Sequence, residues 1–323
     1  MKLPWSVRAK DGGPLELTVR ELPEWVRRTV NAERATREPT PERPLTLSRF
    51  LRSLVPNVDR AIFIVGAPRS GTTFVGRCIA ALPEVSYHYE PVVTKAAARH
   101  IYEGDWDIRR AGWFYREVFR CLQRVHLEGD LVFAEKTPQD SFVIPFLAKA
   151  FPRSRFIHVL RDGRDVAASL LRKPWLRADA GGQAGRREPG GYEYGAVARF
   201  WVEPDRKLEF ETTSDARRCA WSWRRHVEAS LSAERRVPPP RWLELRYEAI
   251  VDQPAREADR LLDFLHIDHL VSRECLRKVM LARDTSRKRS FESELSEIEL
   301  ADVIFEAEEL LRSLGYLADP APR

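Results

Sequence analysis

The residues best suited to chemistry lie in GAPRSGTTF, residues 66–74. Gly66 and Gly71 share the spacing of the phosphate-binding loop G-x-x-x-x-G-K-[ST]. Glycines at these places permit tight backbone curvature. The N–H groups between them, with the N-terminus of a following helix, form a cradle for an anion. The loop's lysine is missing: Thr72 stands in its place and Thr73 follows. A nucleoside triphosphatase needs that lysine on the β- and γ-phosphates and a hydroxyl on magnesium. Here the positive charge sits inside the loop, on Arg69. The stretch is therefore expected to hold a phosphate-like group by other means.

Elements on either side must position this loop. AIFIV (61–65) reads as a short buried strand and Thr72 to Leu82 as a helix. Further strands are expected near Val85 to Tyr87, at LVFAE (131–135), at RFIHVL (155–160) and at RWLELRY (241–247). Helical stretches are expected over Val92 to Tyr102, Trp113 to His126, Ser141 to Ala150, Pro254 to Leu265 and Leu295 to Leu314. Strands alternating with helices at this spacing predict an α/β fold, a central parallel sheet flanked by helices in three layers. Residues 1–57, which include the proline-rich EPTPERP (38–44), read as an appended arm and linker, and residues 58–318 as the main domain. Between Lys173 and Ser214 the pattern fails, in a glycine-rich stretch set among aromatics, and a lid is expected there.

The 323 residues, 43% hydrophobic and 32% charged, suffice for a large core. The formal charge is +6, and paired arginines recur at 109–110, 217–218 and 224–225. Such a dispersed surplus suits a small polyanion as well as nucleic acid. No nucleic-acid motif with interleaved aromatics accompanies it, so no nucleic-acid partner is expected. The four cysteines, at 78, 121, 219 and 275, show no metal-binding spacing. They read as buried thiols of a reducing compartment. No signal-peptide core and no run of about 18 apolar residues is present, so a cytoplasmic protein without a membrane span is expected.

With its strand before and helix after, PRSGTTF (68–74) resembles the 5′-phosphosulfate loop of sulfotransferases. These enzymes use 3′-phosphoadenosine 5′-phosphosulfate (PAPS). The resemblance covers about residues 60–315. It implies that Arg69, Ser70, Gly71, Thr72, Thr73 and Phe74 hold the donor, with Arg69 nearest the oxygen bridging phosphorus and sulfur. LRDGRDVAASLL (160–171) is similar to the family's 3′-phosphate motif, an arginine at a strand end and a serine eight residues on, here Arg161 and Ser169. A strand-end arginine offers a two-pronged fork to a phosphate dianion. RYEAIVDQP (246–254) resembles a further family stretch and implies that Tyr247 lies by the donor. Trp221 and Trp223 resemble the family's helix beside the adenine, or are plain core. RDTSRKRSFES (283–293) falls where the family closes a basic loop over the 3′-phosphate. Arg287, Lys288 and Arg289 are its candidates, with Lys288 and Arg289 taken as donor-binding.

Sulfuryl transfer needs an in-line arrangement and cations at the leaving oxygen. Arg69 and Lys136, the latter at the end of the LVFAE strand, would supply them, and no metal is required. Members acting on small molecules in the cytosol use a histidine base soon after the strand-end lysine. Thr137 and Pro138 stand there instead. The branches acting on tyrosyl proteins and glycosaminoglycans use a glutamate after the first helix, which implies Glu90 in YHYEP (87–91). His88 competes locally, since alternation in an extended segment puts both on one side. The expected acceptor is a hydroxyl of a small molecule or glycan. No feature sets the oligomeric state. Two rival functions stand beside this one, a kinase-like phosphotransferase and a non-catalytic nucleotide-binding protein. The first lacks its lysine, and the second gives no reason for Glu90 and Lys136 beside the loop.

Overall fold

The computed structural model describes residues 46–181 and 192–318, together with residues 26, 27, 29–31 and 44. Most of the expected N-terminal arm, and residues 182–191 of the expected lid, lie outside the described residues. Five strands form one parallel sheet: β1 Ile62–Val65, β2 Val85–Tyr89, β3 Val132–Lys136, β4 Arg155–Leu160 and β5 Trp242–Arg246. Their order across the sheet is β2-β3-β1-β4-β5. The chain thus leaves β1 towards one edge and returns to its other side with β4. A parallel sheet presents its ligand crevice at such a reversal, outside the C-terminal ends of the strands.

The central strand explains the layering. All four residues of β1 are buried, and their alternation feeds two cores. Phe63 stacks with Phe156 at 5.4 Å between ring centroids and meets Phe151 at 5.5 Å on one face. Ile62 and Ile64 join Val75, Ile79, Leu261 and Leu262 on the other. A strand apolar on both faces is the mark of a parallel sheet covered on both sides. The covering helices include α1 Thr72–Ala80, α2 Val92–Tyr102, α3 Ile108–Val125, α4 Gly163–Leu171, α5 Asp215–Glu234, α6 Pro254–Leu265, α7 Leu270–Leu281 and α8 Glu297–Ser313. Helix α7 was not among the elements expected from sequence. Its buried stripe is thin, Ser272, Leu276 and Met280, on an otherwise polar segment. Among the described residues, no helix is long and apolar enough to cross a membrane.

A third core joins α4, α5 and α8 around Trp221 and Trp223, both fully buried. Trp223 donates its indole N–H to the carbonyl of Arg161 at 3.0 Å, and Trp221 donates to Glu203 at 2.7 Å. These roles are structural. Neither ring lines the basic cavity described below. Gly163 opens α4 directly against Trp223, where a Cβ would meet ring carbons at 2.6 Å. Gly163→Ala should therefore cost about 1–3 kcal/mol through overpacking. A thermal melt should show a midpoint several degrees lower. An unchanged midpoint would mean that the indole yields freely.

Candidate active site

The loop after β1 is held by its own strained geometry. Gly66 has φ +138°, and a Cβ there would meet the Val159 carbonyl oxygen at 2.4 Å. Its N–H donates to Ser141 Oγ at 3.1 Å. Arg69 has a left-handed φ of +72°, unusual for a residue with a side chain. Gly71, at φ +94°, is the N-cap of α1 and carries no side chain to cap it. The first turn of α1 therefore presents N–H groups without a side-chain acceptor, as an anion site requires. Ser70 is buried, with its Oγ lacking a partner among the described residues.

These residues line one side of a cavity of about 540 Å³. Arg69, Gly71, Thr72, Thr73 and Phe74 come from the loop and α1, Arg161 and Ser169 from the end of β4 and α4, and Tyr247 from the end of β5. Arg69 Nε donates to Ser169 Oγ at 3.0 Å, joining the two motifs directly. Arg161 is buried, lies over the Tyr247 ring at 4.4 Å and donates to the carbonyls of Arg69 (3.2 Å) and Arg287. It also pairs with Asp165 at 3.3 Å, while its Nε has no partner among the described residues. Burial, then Arg172, with Arg161 and Arg287 adding to them, lowers the pKa of Arg69.

The C-terminal basic loop closes this cavity from above. Asp165 accepts the N–H groups of Arg289 and Phe291, each at 3.0 Å, and Tyr247 donates its hydroxyl to the Asp284 carbonyl at 3.0 Å. Arg287 lines the cavity, as do Arg283, Arg172, Lys173 and Arg77. Lys288 and Arg289 do not. Lys288 reaches Asp252 at 2.6 Å, and Arg289, at φ +59°, turns its side chain to Glu292. The left-handed backbone at Arg289 rotates the end of the run away from the cavity.

Glu90 follows the last residue of β2 and faces the end of β3. Its N–H donates to the Lys136 carbonyl at 3.0 Å, and its carboxylate pairs with Lys136 and Lys95. Burial alone would raise the Glu90 carboxyl, but Lys136 and then Lys95 outweigh it and hold it down at about 2. Lys136 is sealed from solvent, its ammonium 4.0 Å from the Tyr89 ring centroid. Burial lowers its pKa against the upward pull of Glu90. His88 is no neighbour of Glu90. It stacks on Phe133 at 4.7 Å, fully buried, with Nε2 at 3.0 Å from Ser86 Oγ. Alternation breaks because Glu90 is left-handed, φ +41°.

Glu90 also lines a second cavity, of about 180 Å³, with Pro68, Tyr89, Lys95, Pro138 and Gln139. Trp175, Leu176, Tyr194 and Trp201, from the expected lid, form the opposite wall. Sequence reasoning missed Lys95, Arg77 and Arg172. Helical spacing could have found the arginines: Arg77 is one turn beyond Thr73, and Arg172 three residues beyond Ser169. The arginine pairs at 217–218 and 224–225, by contrast, serve the fold. Arg217 and Arg224 pair with Glu306, and Arg225 with Glu228.

Comparison with known proteins fits this arrangement. The profile described as Sulfotransferase family matches residues 61–270 of the chain. The chain belongs to the sulfotransferase family. Among curated relatives, a provisionally named protein-tyrosine sulfotransferase of Caenorhabditis briggsae is 23% identical over 226 residues, 67% of this chain and 69% of that one. The omega-hydroxy-beta-dihydromenaquinone-9 sulfotransferase Stf3 of Mycobacterium tuberculosis is 28% identical over 154 residues, 46% of this chain but only 32% of the mycobacterial one. Among solved structures, sulfotransferase STF9 from Mycobacterium avium aligns over 91% of this chain and 84% of its own, with 14% identity and a TM-score of 0.49.

Behind the sulfotransferase site lies a buried acid pair. Asp140 and Glu135 are both fully enclosed, and their carboxyls are within hydrogen-bond reach of one another. Neither Asp140 oxygen receives an N–H or O–H from elsewhere among the described residues, so a proton between the two acids is what satisfies them. Burial pushes the Asp140 carboxyl up to about 7; Glu135 opposes this and Glu90 adds to it. Unfolded, the same group titrates near 4. The folded protein thus holds a proton that the unfolded chain releases between roughly pH 4 and 7, and stability falls as pH rises through that window. Asp140→Asn should remove up to about 1.4 kcal/mol per pH unit of that slope. Urea midpoints of parent and variant between pH 5 and 7.5 should diverge, the variant gaining at the higher pH. Parallel curves would show that Asp140 is ionised.

Proposed function

We propose that this sulfotransferase takes its sulfuryl group from PAPS and delivers it to a hydroxyl held in the smaller cavity. The observation that carries the reading is the pairing of two cavities along one loop. Arg69 lines the cation-rich cavity, and its neighbour Pro68 lines the aromatic one. The donor would supply the activated sulfuryl group and an anionic nucleotide. The cation-rich cavity suits such a ligand: Arg161 Nε is a buried donor without a partner among the described residues, and seven cationic side chains and one carboxylate line it. Arg161 and Ser169 would hold the 3′-phosphate, with Arg287 as the contact from the C-terminal loop. The loop N–H groups, Thr72 and Thr73 would hold the 5′ group. Charge arising at the bridging oxygen would be met by Arg69 and Lys136, without a metal.

Glu90 is the proposed base, and its ion pair bears on how it works. Held at about 2, the carboxyl is ionised at any working pH, but weakly basic. If Lys136 turns its ammonium towards the leaving oxygen, Glu90 loses its strongest neighbour and gains basicity as the acceptor hydroxyl becomes acidic. Lys95 keeps the carboxylate oriented meanwhile. Residues 173–214 are proposed to select the acceptor, since Trp175, Leu176, Tyr194 and Trp201 wall the smaller cavity.

Two measurements test this function. Losing a buried two-pronged contact to a dianion costs on the order of 2–4 kcal/mol. Arg161→Ala should therefore weaken binding of adenosine 3′,5′-bisphosphate (PAP) far more than that of adenosine 5′-monophosphate in calorimetric titration. Equal losses would remove the 3′-phosphate from Arg161. Glu90→Gln keeps the shape and cannot accept the proton. Its kcat should fall by about 10²–10⁴ with affinity for PAP nearly unchanged. A variant that keeps most of its turnover would reduce Glu90 to an ordering partner of Lys136.

A further inference from the structure

His226 lies on α5, one turn beyond Ser222, and both residues line the smaller cavity. The histidine is 1% exposed. Its Nδ1 is 2.7 Å from the Ser222 carbonyl oxygen, an acceptor only, so Nδ1 carries the proton. Nε2 is then a bare lone pair. It is buried and has no partner among the described residues. Phe142 packs edge-on against the ring at 4.6 Å, and Trp201 flanks it at 5.8 Å, so the ring cannot turn to find one. Burial foremost, against the opposing Ser222 carbonyl, lowers the pKa to about 4, which keeps the ring neutral. A second acceptor atom, Gln139 Oε1, is also buried without a partner and belongs to the same cavity.

Buried acceptors in an aromatic cavity are costly unless a ligand brings donors to them. The reacting hydroxyl does not serve, because its proton goes to the base. About 180 Å³ is room for one ring the size of benzene. We propose that His226 sets acceptor specificity, its Nε2 accepting a hydrogen bond from a second O–H or N–H group of a compact ring alcohol. This rests on the smaller cavity being the acceptor site. It narrows the acceptor class to compounds that place a ring with at least two donor groups in this cavity, one to react and one to be recognised. A site built to pair with a donor rejects the analogue that lacks it far more strongly than an apolar pocket rejects a missing methylene.

The test compares the three dihydroxybenzenes with their monomethyl ethers, which keep one hydroxyl and lose one donor. Binding is read by calorimetric titration with and without PAP, so it does not depend on turnover. Wild-type protein should bind at least one dihydroxybenzene about 10–100-fold more tightly than its ether. His226→Leu should abolish the preference while leaving PAP affinity unchanged. His226→Gln, whose amide oxygen is an acceptor, should keep part of it and serves if the leucine variant fails to fold. Equal binding of all pairs by the wild type, no binding of any, or a preference that survives in His226→Leu would each overturn the inference. Failure of PAP to bind would overturn the donor assignment instead. The ring compounds titrated alone would still decide His226.

Discussion

Mutual repulsion governs this molecule. Arg69, Arg77, Arg161, Arg172, Lys173, Arg283 and Arg287 converge on one cavity, with Asp284 the single carboxylate among its lining residues. Like charges at such spacing spread apart unless the backbone forbids it. Here it does. The parallel sheet fixes the ends of β1, β4 and β5, and Arg161 is tied to the carbonyls of Arg69 and Arg287. Asp165, from behind the cavity, holds both Arg161 and the backbone of the C-terminal loop. The left-handed backbone of Arg69 is one more cost of the arrangement. A bound polyanion would relieve the repulsion among these cations.

The acid side of the site obeys the same constraint with the sign reversed. Glu90 has two ammonium groups on it, and the deeper Asp140, buried beside Glu135, has its carboxyl pushed up by burial. Charge is thus graded along a line from the sheet interior to the crevice. An acid pair comes first, then Lys136, then Glu90, and finally the arginines of the donor side. Lys136 holds the Glu90 carboxyl down, Glu90 pulls Lys136 up against burial, and Glu90 adds to the rise of Asp140.

How much of this could be read from sequence varied with the kind of information required. Strand β4 and helices α2 and α6 fall at their expected residues, because hydrophobic period and breakers decide them locally. Arg69, Arg161, Tyr247, Glu90 and Lys136, singled out by motif, lie at or just beyond strand ends, and Ser169 lies on α4 within reach of Arg69. What failed depended on backbone handedness or on partners distant in sequence. Alternation placed His88 beside Glu90, but a left-handed turn at Glu90 undoes it. The run Arg287-Lys288-Arg289 offers three equivalent charges, and only distant Asp252 and nearby Glu292 show which two are occupied. The paired arginines suggested a dispersed polyanion surface, until the acids that neutralise them were located.

The two cavities meet at consecutive residues, Pro68 on one side and Arg69 on the other. Among the described residues, the side chains near that junction are Tyr89, Glu90 and, beside them, Lys136. Two ligands so placed would be neighbours at one moment, not successive visitors to one spot. If donor and acceptor occupy the two cavities as proposed, rate data should form intersecting double-reciprocal lines, the pattern of a ternary complex, where a shuttle through a modified enzyme would give parallel ones.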